Sequence, residues 1–284
     1  MKYNTEWKDF EVIKTGMGEK LERWGNVKLL RPDPQVIWGE KIGENEADAH
    51  YLRSSSGGGN WKYINKIPSE WQIGWRNLRF LVKPMGFKHT GLFPEQAVNW
   101  AMMIDLIKNA NRPISVLNLF AYTGGATIAC ASAGASVTHV DSAKNMVERC
   151  KQNANLSGLE NATIRYIVDD CFKFVEREIR RGKKYDAIIM DPPSYGRGTN
   201  GEVWKLEENI AAFVKMCEKV LVDKPLFVLI NSYTTGLGAT AMENVLKLAL
   251  KNRKGKFDSY EVGLLCKDGL ILPCGNSSVF IGEK

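Results

Sequence analysis

No stretch of this 284-residue chain is apolar for long enough to span a bilayer, and the opening Met1-Lys-Tyr-Asn-Thr-Glu6 lacks the apolar run of a secretory signal. Cytoplasm is therefore the expected compartment, and no membrane partner is expected. Histidine is scarce, at three residues, and the six cysteines (Cys130, Cys150, Cys171, Cys217, Cys266, Cys274) form no C-x-x-C pair. That argues against zinc or another bound metal, and the thiols read as buried and reduced. The loop Ser54-Ser-Ser-Gly-Gly-Gly-Asn60 reads as flexible, and the Gly-Lys-Ser/Thr that would make it a phosphate loop does not follow. Concentrated charge is also missing. The net charge of +7 and pI near 9.0 point to an anionic partner, but lysine and arginine are spread along the chain. Modest clusters at residues 177–184 and 247–256 read first as solvated helix faces.

What is present divides into two textures. Residues 1–85 hold six of the eight tryptophans and short alternating runs such as Val27-Lys-Leu-Leu30 and Leu78-Arg-Phe-Leu-Val82, broken by Pro, Gly and Asn. This predicts a small β-rich α+β domain. Those tryptophans could form its core, or offer stacking faces to structured RNA beside scattered basic residues. Over residues 86–284 the chain alternates strand and helix signals, which predicts a Rossmann-like α/β domain whose sheet is covered on both faces. Helices are expected at 95–109, from 126, at 143–155, 172–181, 206–221 and 239–252. Strands are expected at 114–119, 135–140, 162–167, 185–190 and 226–230. Two last strands, near 259–264 and 277–281, would return antiparallel and complete a seven-stranded mixed sheet.

Chemistry-bearing residues fall at the ends of these strands. Val116-Leu-Asn-Leu-Phe-Ala-Tyr-Thr-Gly-Gly125 reads as a buried strand breaking into a glycine turn and reopening as a helix, which brings bare backbone against a nucleoside cofactor. This turn lacks the Gly-x-Gly-x-x-Gly spacing, so a nicotinamide-dependent dehydrogenase is only the runner-up. Asp141 ends the next strand, where it could accept both ribose hydroxyls or cap the following helix. Asp170, in Asp169-Asp-Cys171, could likewise accept an adenine amine or cap a helix. In Asp191-Pro-Pro-Ser-Tyr195 two prolines fix the path after the strand. Asp191 could orient a substrate amine, and Tyr195 could stack on a flat base.

Taken together, Asn118-Leu-Phe-Ala-Tyr-Thr-Gly-Gly125, Asp141-Ser-Ala-Lys144, Asp170-Cys-Phe-Lys-Phe174 and Asp191-Pro-Pro-Ser-Tyr195 resemble the successive motifs of class I S-adenosylmethionine-dependent methyltransferases. More narrowly, they resemble the bacterial family that includes the 23S ribosomal RNA cytosine-carbon-5 methyltransferase. The likeness covers about residues 88–284 and extends to His89-Thr-Gly-Leu-Phe-Pro-Glu-Gln96. It implies S-adenosyl-L-methionine as cofactor, with Phe93 and Gln96 closing over it and Ala121, Tyr122 and Gly124 facing its methionine part. Asp141 with Ser142 would take the ribose, Asp170 and Cys171 the adenine, and Asp191 the methyl-transfer site.

Two departures bear on the reaction. Asn118 stands where many class members carry an acidic residue. Carbon-5 methylation of cytosine also needs a covalent nucleophile, because the ring carbon is inert until a thiolate adds beside it. In the cytosine-modifying relatives that cysteine follows the fifth strand, where this chain reads Asn231-Ser-Tyr-Thr-Thr235. The expected function is therefore direct methyl transfer to RNA, ribosomal RNA foremost, onto a nitrogen or oxygen lone pair, with Asp191, Tyr195 and Asn231 orienting the acceptor. A small-molecule or protein acceptor, and a non-catalytic RNA-binding relative, are the alternatives. The oligomeric state is not legible.

Overall fold

In the computed structural model, which describes residues 1–54, 58–197 and 203–283, the chain divides into two compact units. Lys2–Val98 groups with Gly263–Cys274, and Asn99–Val262 groups with the C-terminal residues from Gly275. Residues 55–57 of the loop read as flexible lie outside the described residues.

In the first unit, β1 (Phe10–Gly16), β2 (Glu19–Trp24), β3 (Val27–Pro32), β4 (Ala49–Arg53) and β5 (Gly59–Tyr63) form a five-stranded sheet in that order. A hairpin of β6 (Trp71–Trp75) and β7 (Leu78–Val82) stands as a separate pair. Trp24 and Trp75 are fully buried. The indole N–H groups of the half-buried Trp38, Trp61 and Trp71 donate to Thr15, Met85 and Trp24 at 2.7–3.0 Å. Each of these tryptophans thus satisfies its polar edge within its own unit, as a buried indole must. A charge cluster is also buried here. Arg31 donates twice to the Glu22 carboxylate, at 2.6 and 2.8 Å, and Lys20 lies 3.1 Å from Asp33 and 3.4 Å from Glu22.

The second unit is built on α1 (Ala97–Lys108), β8 (Ser115–Leu119), α2 (Gly125–Ser132), β9 (Ser136–Asp141), α3 (Lys144–Leu156), β10 (Ile164–Val168), α4 (Cys171–Arg180) and β11 (Ala187–Met190). It continues with a short hairpin of β12 (Tyr195–Arg197) and β13 (Val203–Lys205), then α5 (Leu206–Glu218), β14 (Phe227–Ser232), α6 (Ala239–Ala249), and the greater part of β15 (Gly255–Leu265) and β16 (Ile271–Gly282), whose residues 263–265 and 271–274 group with the first unit. The seven-stranded sheet has the order β10-β9-β8-β11-β14-β16-β15. The first five strands are parallel, and β16 runs antiparallel to β14. Strand order reverses between β8 and β11, so ligands belong beyond the carboxyl ends of those strands.

Parallel strands buried on both faces need apolar residues at every position, which explains why Ala187-Ile-Ile-Met190 is entirely buried. Met190 and Ile230 pack with Phe213 and Val214 of α5 in one core. By strand alternation, Asn118, Asp191 and Asn231 therefore take the opposite face.

Most element boundaries lie within three residues of the expected ones, but the last two strands begin earlier, at Gly255 and Ile271 instead of near 259 and 277. Tyr185, expected in a strand, makes only an isolated bridge to Leu221. The helix expected from residue 95 opens as a 3-10 turn, Pro94–Gln96, before α1. The β12–β13 pair was not legible in the sequence. Among the described residues no helix is long and apolar enough to cross a membrane, and no group of three or more His, Cys, Asp or Glu is arranged to hold a metal.

Candidate active site

The turn after β8 departs from the backbone conformation that side chains prefer. Phe120, Tyr122 and Gly124 all have positive φ, at 55°, 50° and 86°. For a residue with a Cβ this costs about 1–2 kcal/mol, and such strain persists only where neighbours hold it. Three contacts hold it here. Ala121 N–H donates to Val140 O at 3.1 Å, Phe120 N–H to Cys171 Sγ at 3.3 Å, and Tyr122 N–H to Asp141 Oδ2 at 2.8 Å. The ends of β8, β9 and β10 are thereby drawn onto one loop. At Gly124 a Cβ would collide with the thiol of Cys150. The glycine thus brings the helix backbone close, and no side chain caps the N-terminus of α2. Its first N–H groups are available to an anionic or carbonyl ligand.

Asp141 is not the N-cap of the next helix: that position falls on Ala143, which makes no side-chain cap, and the second Asp141 oxygen accepts the Ala143 N–H at 2.9 Å. Burial pushes the Asp141 carboxyl above its ordinary range against the pull of these two backbone donors. Each oxygen keeps a lone pair, so the group can still accept two hydroxyls. Ser142 beside it is exposed. Asp170, by contrast, is the N-cap of α4 and accepts the Lys173 N–H at 3.0 Å. The adenine role that the resemblance implies would fall to its other oxygen. Cys171 is buried, and its thiol is pushed well above the usual range by burial.

Asn118 is buried and donates to Thr127 Oγ1 at 2.9 Å, which in turn lies 2.9 Å from His139 Nδ1. This explains the missing acidic residue in local terms: the position is occupied by a donor that ties β8 to α2 and β9. Burial lowers the His139 pKa to about 3, so the imidazole is neutral.

On the other side of the strand reversal, Asp191 follows Met190, which pairs with both Leu119 and Ile230. Asp191 and Asn231 are thus the next residues on neighbouring parallel strands and lie on one face. Asn231 is only 3% exposed. Tyr195 is 52% exposed, on β12 opposite Lys205. Two further residues, Trp204 and Thr234, shape this side without a role expected from the sequence. Trp204 donates its indole N–H to Pro193 O at 2.6 Å and packs against Phe120 and Phe172. Thr234 Oγ1 donates to Ser194 Oγ at 2.7 Å, tying the loop after β14 to the loop after β11. The lone aromatic Trp204 after a glycine-rich stretch is the one signal that could have pointed there.

Phe93 and Gln96 belong to the other unit. Gln96 is buried, with its N–H on Phe93 O at 3.1 Å, and Phe93 packs edge-on to His89 at 5.5 Å. Their cofactor role rests on the sequence resemblance.

A ligand carrying an amino acid and a nucleoside fits the other residues. It meets a glycine approach at Gly124, an uncapped helix start, and a half-buried carboxylate with free lone pairs. Comparison with known proteins agrees. A family model of S-adenosylmethionine-dependent methyltransferases matches residues 31–240. Over 145 residues the chain is 32% identical to ribosomal RNA large subunit methyltransferase K/L of Shewanella frigidimarina, a match covering 50% of this chain and 20% of that relative. Among solved structures, the SAM-dependent methyltransferase from Agrobacterium tumefaciens has a TM-score of 0.92 at 34% identity, covering 99% of this chain and 92% of that one. The protein SMU.776, solved complexed with SAH, is 17% identical with a TM-score of 0.76 over 98% of this chain and 76% of that one, and shares the fold.

Proposed function

Because the chain belongs to the S-adenosylmethionine-dependent methyltransferase family, we propose that its acceptor is RNA, ribosomal RNA foremost, and that the methyl goes to a nitrogen or oxygen lone pair. The observation that carries the choice of atom is the state of the cysteines. Cys130, Cys150, Cys171 and Cys217 are buried, with thiol pKa values pushed up by burial. Cys266 is buried and pushed up to about 11, and Cys274 well above the usual range. At the end of β14, Ser232 is buried and its hydroxyl accepts the Thr234 N–H at 3.3 Å. Thiolate addition to a pyrimidine ring has no group to perform it among these residues.

When bound, S-adenosylmethionine supplies an electrophilic methyl: the acceptor lone pair bonds to carbon as the carbon–sulfur bond breaks and its electrons stay on sulfur. In this reading Ala121, Tyr122 and Gly124 hold the amino-acid part through backbone, while Asp141 with Ser142 takes the ribose. Asp170 and Cys171 meet the adenine. Asp191 accepts an N–H or O–H of the acceptor and directs its lone pair at the methyl, Asn231 orients it, and Tyr195 stacks on the base. The net charge of +7 favours a polyanion, and the relative named for ribosomal RNA supports that class.

Incubating the protein with isotope-labelled S-adenosylmethionine and total RNA, then digesting to nucleosides for mass spectrometry, tests this. A labelled N- or O-methyl nucleoside is expected. Label appearing only in protein or small molecules would move the substrate to those classes, and a 5-methylpyrimidine product would refute the lone-pair route.

A further inference from the structure

We propose that Asn231 is a fixed hydrogen-bond donor to the methyl acceptor, held in that role by Asn99, Ser277 and Tyr260. The inference rests on the methyl-transfer reading of the β11 and β14 strand ends and adds to it a rule for which base edges are accepted.

Asn231 breaks the apolar run of β14 at a place where an amide is costly. It is 3% exposed, and it sits opposite Ser277 of β16. A buried amide is tolerated only if bonded. Its Oδ1 accepts from Ser277 Oγ at 2.8 Å and from Asn99 Nδ2 at 3.2 Å, which uses both lone pairs. Asn99 Nδ2 also donates to Ser277 Oγ at 2.8 Å, and Tyr260 OH donates to Asn99 Oδ1 at 2.6 Å.

These four groups fix one another's direction. Tyr260 occupies the Asn99 carbonyl, so the Asn99 amino group faces Ser277 and Asn231. Two amino groups cannot face each other, so Asn231 must turn its carbonyl into the network. The other arm of the same planar amide, Nδ2, is left as the donor. No hydrogen bond joins it to any other described residue.

The row position gives the donor its use. Asp191 and Asn231 follow the paired residues Met190 and Ile230 on one face. An acceptor carboxylate beside a donor amide complements an edge that offers an N–H next to a ring nitrogen or carbonyl oxygen, the pattern of a nucleobase. A base analogue lacking that acceptor atom would strand a buried N–H and be rejected.

The test combines three variants with one spectrum. Asn231→Asp keeps the acceptor for Ser277 and Asn99 but removes the donor. It is expected to bind S-adenosylhomocysteine within about two-fold of wild type and to lose about 100-fold in kcat/KM for RNA, the scale of a removed catalytic-site donor. Ser277→Ala frees the amide and should lower kcat about 10-fold, with Ser277→Thr restoring most of it, since the hydroxyl alone is being tested. Wild-type kcat/KM in Asn231→Asp, or equal losses in Ser277→Ala and Ser277→Thr, would overturn the proposal. Should the wild-type protein transfer no methyl to RNA, the substrate reading fails on its own. The locked amide is then judged by NMR. Asn231 side-chain amide protons, identified by their loss in Asn231→Asp, are expected to shift in Ser277→Ala, and unmoved signals would sink it.

Discussion

The backbone N–H of Tyr122 lies 2.8 Å from Asp141 Oδ2. One carboxylate therefore does two things: it stabilises a residue held at φ 50° after β8, and it stands where the resemblance puts the ribose. A charge-assisted bond of this kind is worth about 1.5–3 kcal/mol, enough to offset the left-handed strain of about 1–2 kcal/mol. The turn after β8 and Asp141 are thus one mechanical unit.

Asp141→Ala is accordingly expected to weaken S-adenosylmethionine binding at least about ten-fold, equivalent to about 1.4 kcal/mol, in calorimetric titration. Unchanged affinity would remove Asp141 from the site. The pH dependence follows from the sign of its shift. Its folded-state pKa lies above the ordinary value of 3.8 because burial disfavours the charge. The protonated form is then favoured by folding, and stability is lost as pH rises from the unfolded value through the folded one. Ribose hydroxyls donating to the ionised group return that loss. The gain in Tm on adding S-adenosylmethionine should therefore grow over this acid window, and a gain independent of pH would contradict the assignment.

Gly124→Ala is expected to destabilise the protein by about 2–4 kcal/mol, combining left-handed strain with overpacking. The two contributions are separable, because the first clash is with the Cys150 thiol and the next with its Cβ at 2.8 Å. Adding Cys150→Ala should recover part of the loss and no more. Denaturant unfolding of the four proteins in the cycle checks this, and strict additivity would show that the thiol is not what excludes a side chain at Gly124.

The strand ends were legible because each combines a long apolar run with a sudden carboxylate or glycine. Asp141, Asp170 and Asp191 stand out from their neighbours for that reason, and the order β8, β9, β10, β11, β14 follows from the alternation. What stayed hidden depends on partners distant in sequence. Asn99 meets Asn231 and Ser277 across 132 and 178 residues, so no local pattern marks the three as a unit. The Trp204 strand has three residues, too few for a period. Asp170 shows the ambiguity that sequence leaves in place: the cap is observed, and a second oxygen remains for a ligand.

In the first unit, Glu22 should carry much of the acid sensitivity. Burial alone would raise its pKa, but Arg31 and Lys20 outweigh that and bring it down to about 2 from 4.5. A depressed folded-state value means stabilisation fully present above 4.5 and lost as pH falls through the window down to about 2. Glu22→Gln should flatten that acid limb in thermal melts. It should also cost about 3–5 kcal/mol at neutral pH, because Arg31 is left buried beside a neutral partner. An unchanged acid limb would mean that the cluster does not titrate with unfolding.

Trp204 separates support of the acceptor side from support of the cofactor side. Its indole N–H holds Pro193 O at 2.6 Å, while its ring packs 5.7 Å from Phe120 and 5.4 Å from Phe172. Trp204→Phe keeps an aromatic ring and deletes the donor. The loop carrying Asp191 then loses a restraint worth about 1 kcal/mol. We expect kcat to fall about 10-fold, as small misplacements of a reacting group do, with cofactor affinity within about two-fold of wild type. Trp204→Ala removes the ring as well, leaving Phe120 and Phe172 underpacked, and should weaken cofactor binding in addition to turnover. Steady-state kinetics with calorimetry on both variants distinguishes the two effects. If Trp204→Phe lost cofactor affinity and kcat in equal measure, the Pro193 bond would not be what positions Asp191.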